Sequence, residues 1–251
     1  MASLWSEARV SAELIRTLDF DSDFFGVRIA QAVPTRLTDD IASKMAEECE
    51  RRAIQCLYLC PDACDWETVR ICERRGFSFA GLKLTMICGR PASTRAVDAP
   101  GVRPACASDM AALRRIARIS HRNTRFYCDG HFATERCDDL YDLWISRSCR
   151  GELADAVFVA EVDGNAAGYI TCTCQAPAQG KIGLFAVAPE FRGKGLSRQL
   201  IQTALDWFWA RGATEAATVT QGSSVEAVRA YERRGFVAER MQFWYHGWFG
   251  G

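Results

Sequence analysis

Two nine-residue segments of this chain, offset by 159 positions, agree at seven positions. Residues 69–77 and 228–236 share the form Val-Arg-x-x-Glu-Arg-Arg-Gly-Phe, which is typical of a helix that ends at glycine and continues into a strand. Helical and strand-like patterns on either side keep the same offset. The chain is therefore predicted to contain two copies of one α/β unit. The alternative is convergence on a common helix ending in an arginine-rich chain.

A segment rich in Gly, Pro, Ser and Thr, residues 89–101, separates the two copies and has the composition of a linker. We predict an N-terminal domain over residues 1–90, a linker over 91–100 and a C-terminal domain over 101–251. The length of 251 residues suffices for two small domains, and the 49% hydrophobic content is ordinary for globular proteins.

Hydrophobic periodicity, together with glycine and proline stops, divides both copies into short elements. In the first copy, strands are predicted over residues 25–33, 55–60 and 77–88, and helices over 39–52 and 66–75. In the second, helices are predicted over 110–119, 195–211 and 225–234, and strands over 157–162, 166–174, 181–188, 216–220 and 236–245. This alternation predicts a mixed α/β sheet.

Charge and composition argue against several classes of partner. The formal net charge is zero, so we expect neither nucleic acid nor an anionic membrane as a partner. The sequence has no apolar run of about 20 residues, and its first 16 residues lack the pattern of a signal peptide, which predicts a cytoplasmic protein. Twelve cysteines without a CxxC pair, and three scattered histidines, predict reduced thiols and no metal site.

Two closely spaced glycines, Gly193 and Gly195, stand between a predicted strand and the helix that follows it. Glycines at a helix start let backbone N–H groups converge, and the helix terminus adds a partial positive charge. Arg192, Lys194 and Arg198 place cations nearby. The segment is therefore predicted to bind a pyrophosphate.

Residues 187–200 follow the longer pattern V-x-P-x-x-R-G-x-G-x-x-x-x-L, and here the chain resembles the GNAT superfamily of acyl-CoA-dependent N-acetyltransferases. The family pattern Q/R-x-x-G-x-G/A is matched at Arg192 and Gly195, whereas Ser197 replaces its last residue. The resemblance implies a GNAT fold, in which helices flank a central mixed, mostly antiparallel sheet. Here a smaller, degenerate partial copy precedes it. The resemblance also implies acetyl-CoA as co-substrate.

In that family the strand before the loop splays from its neighbour, and the pantetheine arm pairs with the exposed edge. Residues 183–187 would form that strand here. The resemblance implies the cofactor-binding residues Phe185, Ala186, Val187, Arg192, Gly193, Lys194, Gly195, Leu196, Ser197, Arg198 and Ser224. Ser224 stands where family members often carry asparagine.

The resemblance also implies a catalytic role for Tyr231, as the general acid that protonates the departing thiolate. The alternative is a core aromatic residue on an amphipathic helix. The first copy has Cys72 at the equivalent position and no glycine pair before its helix, so only the C-terminal copy is expected to be catalytic. Residues 181–187 contain no Asp, Glu or His, which favours a water relay or an acceptor amine that is already partly neutral. His121 and His131 are alternative bases.

Looser stretches, among them residues 20–26, 125–132 and 140–145, resemble the acetyltransferases that act on dTDP-4-amino-4,6-dideoxygalactose. This resemblance implies a small-molecule acceptor, a dTDP- or UDP-linked amino sugar. The predicted substrate-binding residues are Arg122, Arg125, Phe126, Tyr127 and His131. The two aromatic rings of Phe126 and Phe132 could equally pack beneath a loop.

Other functions stay open at this point. The acceptor could be an amino acid, a polyamine or a protein amine, or the chain could be a non-catalytic acyl-CoA-binding module. The aromatic run over residues 243–249 is interpreted as core or as a subunit contact, with a homodimer as one alternative.

Overall fold

A computed structural model describes residues 13–92, 101–175 and 178–250 of the chain. Its strands are β1 (Ile15–Thr17), β2 (Ile29–Ala32), β3 (Cys56–Leu59), β4 (Ser78–Gly89), β5 (Val102–Pro104), β6 (Ala156–Val162), β7 (Asn165–Gln175), β8 (Gln179–Val187), β9 (Glu215–Gln221) and β10 (Val237–Trp248). Its α-helices are α1 (Asp19–Phe25), α2 (Asp39–Arg51), α3 (Trp66–Arg74), α4 (Met110–Ser120), α5 (Arg125–Cys128), α6 (Thr134–Cys149), α7 (Leu196–Ala210) and α8 (Val225–Glu232).

The chain forms two compact units, one comprising Met1–Ser78 with Tyr245–Gly251 and the other comprising Phe79–Trp244. In the first unit β1 pairs antiparallel with β2, and β2 pairs parallel with β3. The last residues of β10 pair antiparallel with β3. All four residues of β3 are buried, as expected for a central strand with both faces covered.

The second unit is built on a mixed sheet with the strand order β4-β9-β8-β7-β6-β5. Every pair in this series is antiparallel except β8 with β9, which is parallel. Helix α7 buries Leu200, Ile201, Ala204 and Phe208 completely and packs on β6, β7 and β8. Helices α4 and α6 pack on each other, and α4 also contacts β7 and β8. The predicted mixed, mostly antiparallel sheet flanked by helices is confirmed.

The two copies seen in the sequence have the same order of elements. Helix α2, strand β3, helix α3 and strand β4 correspond to α7, β9, α8 and β10, and both ends of β4 and β10 keep the offset of the sequence repeat. The preceding strand pairs parallel in each copy, as β2 with β3 and as β8 with β9. That strand has four residues in the first copy and nine in the second. The predicted common order is confirmed, and the first copy is the shorter one.

The unit boundary differs from the predicted domains, which ended the first domain at residue 90. Strand β4 belongs to the second unit from Phe79 onward because it pairs with β9, from Lys83 opposite Gln221 to Gly89 opposite Glu215. The chain end from Tyr245 belongs to the first unit because it pairs with β3. The last strand of the first copy thus pairs within the second unit, and only the last residues of β10 pair within the first. Residues 93–100 of the predicted linker lie outside the described residues.

The strand predicted over residues 25–33 is too long. Helix α1 occupies its start and ends at Gly26, whose φ of 71° forms a left-handed C-cap. The strand itself begins only at Ile29. Helix α6 was not predicted, because its buried side includes polar residues such as Asp142 and Ser148 that weaken the apolar period.

No helix in the described ranges is long and apolar enough to cross a membrane. All twelve cysteines are free, and seven of them are buried.

Gly180 on β8 has no room for a side chain, because a Cβ there would overlap the ring of the fully buried Phe208. We predict that Gly180→Ala lowers the free energy of unfolding by about 1–3 kcal/mol, the usual range for overpacking. Gly89→Ala is the matched control, since its Cβ would meet no atom within 4 Å. Urea unfolding of the two variants tests this prediction, and equal stabilities would contradict it.

Candidate active site

Strands β8 and β9 pair over only part of their length. The parallel pairing joins Gln179 to Glu215 and ends where Ile182 lies opposite Thr218. Beyond this point β8 continues along β7 as far as Val187, whereas β9 continues along β4. Within the described chain, the β9-facing edge of residues 183–187 therefore has no strand partner, and its backbone groups are free to pair with an extended ligand.

A bulge lies at the point where the two strands separate. Ile170 opposes Phe185 but Cys172 opposes Ile182, so two residues of β8 stand against Thr171 alone. The Thr171 hydroxyl oxygen accepts a hydrogen bond from the Leu184 backbone N–H at 2.7 Å. A Cβ on Gly183 would approach that same oxygen to 2.8 Å, so glycine is needed there. Because bulges bend the strand that carries them, this one accounts for the departure of β8 from β9.

The loop after β8 presents a helix N-terminus to open space. Gly193 and Gly195 have φ of 77° and 79°, and Gly195 is the N-cap of α7 without a side-chain hydrogen bond. A Cβ at either position would meet nothing within 4 Å, so glycine is required by the backbone conformation and not by a neighbouring atom. The backbone N–H groups of residues 193–197 find no acceptor in the described ranges. They form a suitable binding site for an anion.

The side chains around this helix terminus are cationic and would attract a negatively charged ligand. Arg192, Lys194 and Arg198 are exposed, and none has a carboxylate within 4 Å among the described residues. Ser197 is partly buried in the first turn of α7. Leu196 differs from the others because its side chain is buried in the core, which leaves only its backbone N–H for a ligand.

Tyr231 lies on α8 and is 2% exposed. Its ring packs against Phe185 and Phe236, with centroids 5.6 and 5.2 Å away. Its phenolic oxygen accepts a hydrogen bond from the Thr218 hydroxyl at 3.3 Å. Thr218 belongs to the last residue pair before β8 and β9 separate, so the phenol lies at the closed end of the gap between them.

Burial raises the pKa of Tyr231 above its ordinary value of 10. The phenol therefore keeps its proton throughout the physiological range and can donate it when negative charge develops beside it. Both interpretations of this residue from the sequence fit the geometry, because the ring is part of the core and the hydroxyl reaches the gap.

Ser224 is the N-cap residue of α8 and is partly exposed. Its hydroxyl accepts a hydrogen bond from the side-chain amide of Asn123, which follows α4. The Asn123 side chain thus brings an amide to Ser224, the position at which members of the GNAT superfamily often carry an asparagine. Sequence reasoning missed Asn123, since no local pattern links two residues 101 positions apart.

The five predicted substrate-binding residues have different surroundings. Phe126 is buried against Phe132 and Trp144, so its ring packs beneath the loop. The Tyr127 hydroxyl donates to Asp138 at 2.8 Å, and Arg122 forms an ion pair with the same carboxylate at 3.3 Å.

The remaining two residues, His131 and Arg125, have an imidazole and a guanidinium group at the surface of the loop. His131 is exposed and contacts Asp129 at 2.7 Å. The Arg125 guanidinium stacks on the ring of Trp244 at 4.5 Å from its centroid. Trp244 lies in the C-terminal aromatic run, and sequence reasoning did not connect it with this loop.

A second polar cluster lies beneath α4. The Nε2 atom of His121 is 2.9 Å from the hydroxyl of Tyr169, and the imidazole stacks on Tyr141 at 4.6 Å between centroids. Tyr169 pairs with Ala186 of β8, so the cluster supports the strand that borders the gap. Burial lowers the pKa of His121 to about 4, and its imidazole is neutral near pH 7.

The depressed pKa of His121 predicts a pH dependence of stability. The unfolded chain takes up a proton on this imidazole near pH 6.5, whereas the folded chain resists protonation down to about pH 4. Stability should therefore fall as the pH drops through this window, by about 3 kcal/mol relative to a variant without the group. His121→Gln, whose amide can still bond to Tyr169, should lose that part of the dependence. Urea unfolding at several pH values tests this, with His131→Gln as control; parallel wild-type and His121→Gln curves would refute it.

Comparison with known proteins places these features in a wider group. A family model described as "Acetyltransferase (GNAT) family" matches residues 118–236. Spore coat polysaccharide biosynthesis protein SpsD of Bacillus subtilis is 28% identical over 140 residues, which are 56% of this chain and 48% of that protein. A dTDP-fucosamine acetyltransferase of Escherichia coli is 28% identical over 138 residues, or 55% of this chain and 58% of that one. The chain thus spans about half the length of these two relatives.

A shorter relative is matched over most of its length. N-alpha-acetyltransferase 30 of Schizosaccharomyces pombe is 34% identical over 135 residues, which cover 52% of this chain and 89% of that protein. Among solved structures, a GCN5-related N-acetyltransferase from Sphaerobacter thermophilus has a TM-score of 0.64 at 14% identity, covering 93% of this chain and 76% of that chain. A GNAT-family protein from Novosphingobium aromaticivorans has a TM-score of 0.57 at 19% identity, covering 96% and 91%. At these identities the structures show a common fold.

Proposed function

Because this chain belongs to the GNAT family of acetyltransferases, we propose that it transfers an acetyl group from acetyl-CoA to a primary amine, and that the gap between β8 and β9 receives the acetyl-CoA. The observation that carries the proposal is the end of pairing at Ile182 and Thr218, which leaves one edge of β8 open beside a buried tyrosine.

The residues around the gap fit the parts of acetyl-CoA. The backbone N–H groups of residues 193–197 and the cations of Arg192, Lys194 and Arg198 suit the pyrophosphate. The open edge of residues 183–187 suits the two amides of the pantetheine arm. The hydroxyl of Ser224 and the amide of Asn123 lie at the start of α8 and suit the polar groups of the same arm.

Tyr231 acts as the general acid in this proposal. The acceptor nitrogen forms a bond to the acetyl carbon while the carbon–sulfur bond breaks, and the phenol of Tyr231 gives its proton to the sulfur. The acceptor nitrogen loses one proton in the same turnover. That proton passes through water to the Tyr231 phenolate and restores its hydroxyl. Since residues 181–187 contain no Asp, Glu or His, and the neutral His121 is bonded to Tyr169, the proposal has a water chain carry that proton.

The acceptor proposed is the amino group of a nucleotide-activated amino-deoxy sugar, linked to dTDP or UDP. Support comes from the relative named dTDP-fucosamine acetyltransferase and from the relative named for spore coat polysaccharide biosynthesis. A protein N-terminal amine is the second candidate, because N-alpha-acetyltransferase 30 is matched over 89% of its length. Steady-state assays with dTDP- and UDP-amino sugars against short peptides with free N-termini separate the two.

We predict that Tyr231→Phe slows kcat by roughly 10²–10⁴-fold, the usual contribution of one general acid. The affinity for acetyl-CoA should change little, because the hydroxyl acts mainly as the thiolate forms. Stability should fall by about 1 kcal/mol through loss of the bond from Thr218. Tyr245→Phe is the control, since it removes a hydroxyl from another buried tyrosine outside the gap. A kcat for Tyr231→Phe within about threefold of wild type would reduce this residue to a core aromatic.

The cofactor loop gives an independent prediction. Gly195→Val should weaken acetyl-CoA binding at least tenfold, because valine resists a φ of 79° and the displaced backbone no longer presents its N–H groups. Gly212→Val is a matched control: it has a φ of 83°, follows the other end of α7 and also has open space around it. Both variants should lose similar stability. Isothermal titration with acetyl-CoA distinguishes them, and wild-type affinity in a folded Gly195→Val variant would show that the pyrophosphate binds elsewhere.

A further inference from the structure

The two copies differ in charge at one point, where α2 meets the end of α3 and α7 meets the end of α8. In the first copy Asp39, in the first turn of α2, forms ion pairs with two arginines at the end of α3. The Arg74 guanidinium lies 3.2 Å from a carboxylate oxygen of Asp39, and the Arg75 guanidinium lies 4.0 Å from one. One carboxylate thus offsets part of the charge of both arginines.

The second copy keeps the two arginines and loses the carboxylate. At the offset of 159 positions the arginines recur as Arg233 and Arg234, whereas Arg198 stands at the position of Asp39. A carboxylate between two arginines in the first copy is therefore a third arginine in the second. This reversal of charge falls in the copy whose helix N-terminus is open.

Hydrogen bonds hold the Arg234 guanidinium against α7. Its Nη1 donates to the side-chain oxygen of Gln202 at 3.0 Å, and its Nε donates to the backbone carbonyl of Arg233 at 3.0 Å. The Gln202 amide nitrogen donates to Asp206 at 2.9 Å, which directs its oxygen toward Arg234. A guanidinium has five N–H groups, so the other three of Arg234 have no acceptor among the described residues.

The cluster has no anion of its own in the part of the chain that the structure describes. Neither Arg198, Arg233 nor Arg234 has a carboxylate oxygen within 4 Å. Arg234 is partly buried, and the pKa of its guanidinium is lowered by this burial and by the charge of Arg198. An external anion would supply the charge that Asp39 supplies in the first copy. A phosphate monoester suits best, because it carries nearly two negative charges and three acceptor oxygens.

The cluster adjoins the end of α7 at which the diphosphate of acetyl-CoA is proposed to bind. Arg198 follows the N-cap, Gly195, by three residues, and Gln202 lies one turn further along the helix. At the helical rise these residues are about 4.5 and about 10 Å from the N-cap along the axis. CoA carries a further phosphate on the 3′-oxygen of the ribose that bears its diphosphate. The two anion sites are therefore separated by about the span of that ribose.

We propose that Arg198 and Arg234, with Arg233 beside them, bind the 3′-phosphate of acetyl-CoA. This inference rests on the proposed acetyl transfer and deepens its cofactor site by adding Arg233 and Arg234. It makes the 3′-phosphate a determinant of donor choice, since a thioester of a pantetheine chain without this phosphate leaves the three cations unpaired. In the first copy the carboxylate of Asp39 would repel the same group.

The test compares acetyl-CoA with 3′-dephospho-acetyl-CoA by isothermal titration calorimetry on the full chain. The wild type should bind acetyl-CoA at least about tenfold more tightly, as expected for charge-assisted hydrogen bonds to a phosphate. Arg234→Gln should reduce this preference to within about threefold and leave the Kd for 3′-dephospho-acetyl-CoA unchanged. Arg75→Gln is the matched control, since it changes the equivalent arginine of the first copy and should keep the wild-type preference.

The comparison within the wild type needs no variant, and equal affinity for the two thioesters would overturn the inference. Full preference in a folded Arg234→Gln variant, or an equal loss in Arg75→Gln, would do the same. So would an equal weakening of both thioesters by Arg234→Gln, because that result assigns the arginine to the diphosphate. Failure of the wild type to bind either thioester would instead contradict the proposed acetyl transfer itself.

Discussion

The gap between β8 and β9 depends on the hydrogen bond between the Thr171 hydroxyl and the Leu184 backbone N–H. This bond accommodates the extra residue of the bulge, and Gly183 leaves room for the threonine oxygen. The bent strand then leaves its parallel partner after Ile182, which opens a backbone edge inside an otherwise paired sheet. Such an edge is a liability for a protein unless a ligand or another strand covers it. The open edge and the buried phenol lie at this interruption, and α7 begins after the loop that follows β8.

The two copies differ in the features that support the proposed ligand site. In the first copy the helix N-terminus is capped by its own sequence, because the Thr38 hydroxyl accepts from Ile41 N–H. In the second copy Gly195 occupies the N-cap and has no side chain to do this, so the helix terminus stays open to the proposed anion. Cys72 stands at the position of Tyr231 and is buried, and burial raises its pKa to about 12. The first copy therefore lacks the features on which the proposed anion site and the proposed proton donor rest, and its last strand pairs with β9 of the second copy.

Local sequence patterns predicted the elements whose ends are marked by glycine or proline. Helices α7 and α8 were predicted because glycine ends them and their apolar positions recur at helical spacing, and Gly193 and Gly195 have the positive φ values that motivated the loop prediction. Features that depend on distant residues were missed. The bulge forms only where Thr171 lies opposite Gly183. The boundary between the two units is set by the pairing of β4 with β9. Neither leaves a local signature, since strand partners are selected by tertiary packing. The start of β2 was wrong for a different reason, because Gly26 was not recognised as the C-cap of a short helix.

Hydrogen–deuterium exchange with and without acetyl-CoA tests most directly whether the gap is the ligand site. The account predicts that saturating acetyl-CoA slows amide exchange over residues 183–187, where the strand edge is open, and over residues 193–198, where the helix begins. Exchange over residues 33–38, the equivalent loop of the first copy, should not change. Protection that is absent from residues 183–187 and 193–198, or that appears equally over residues 33–38, would contradict the central claim.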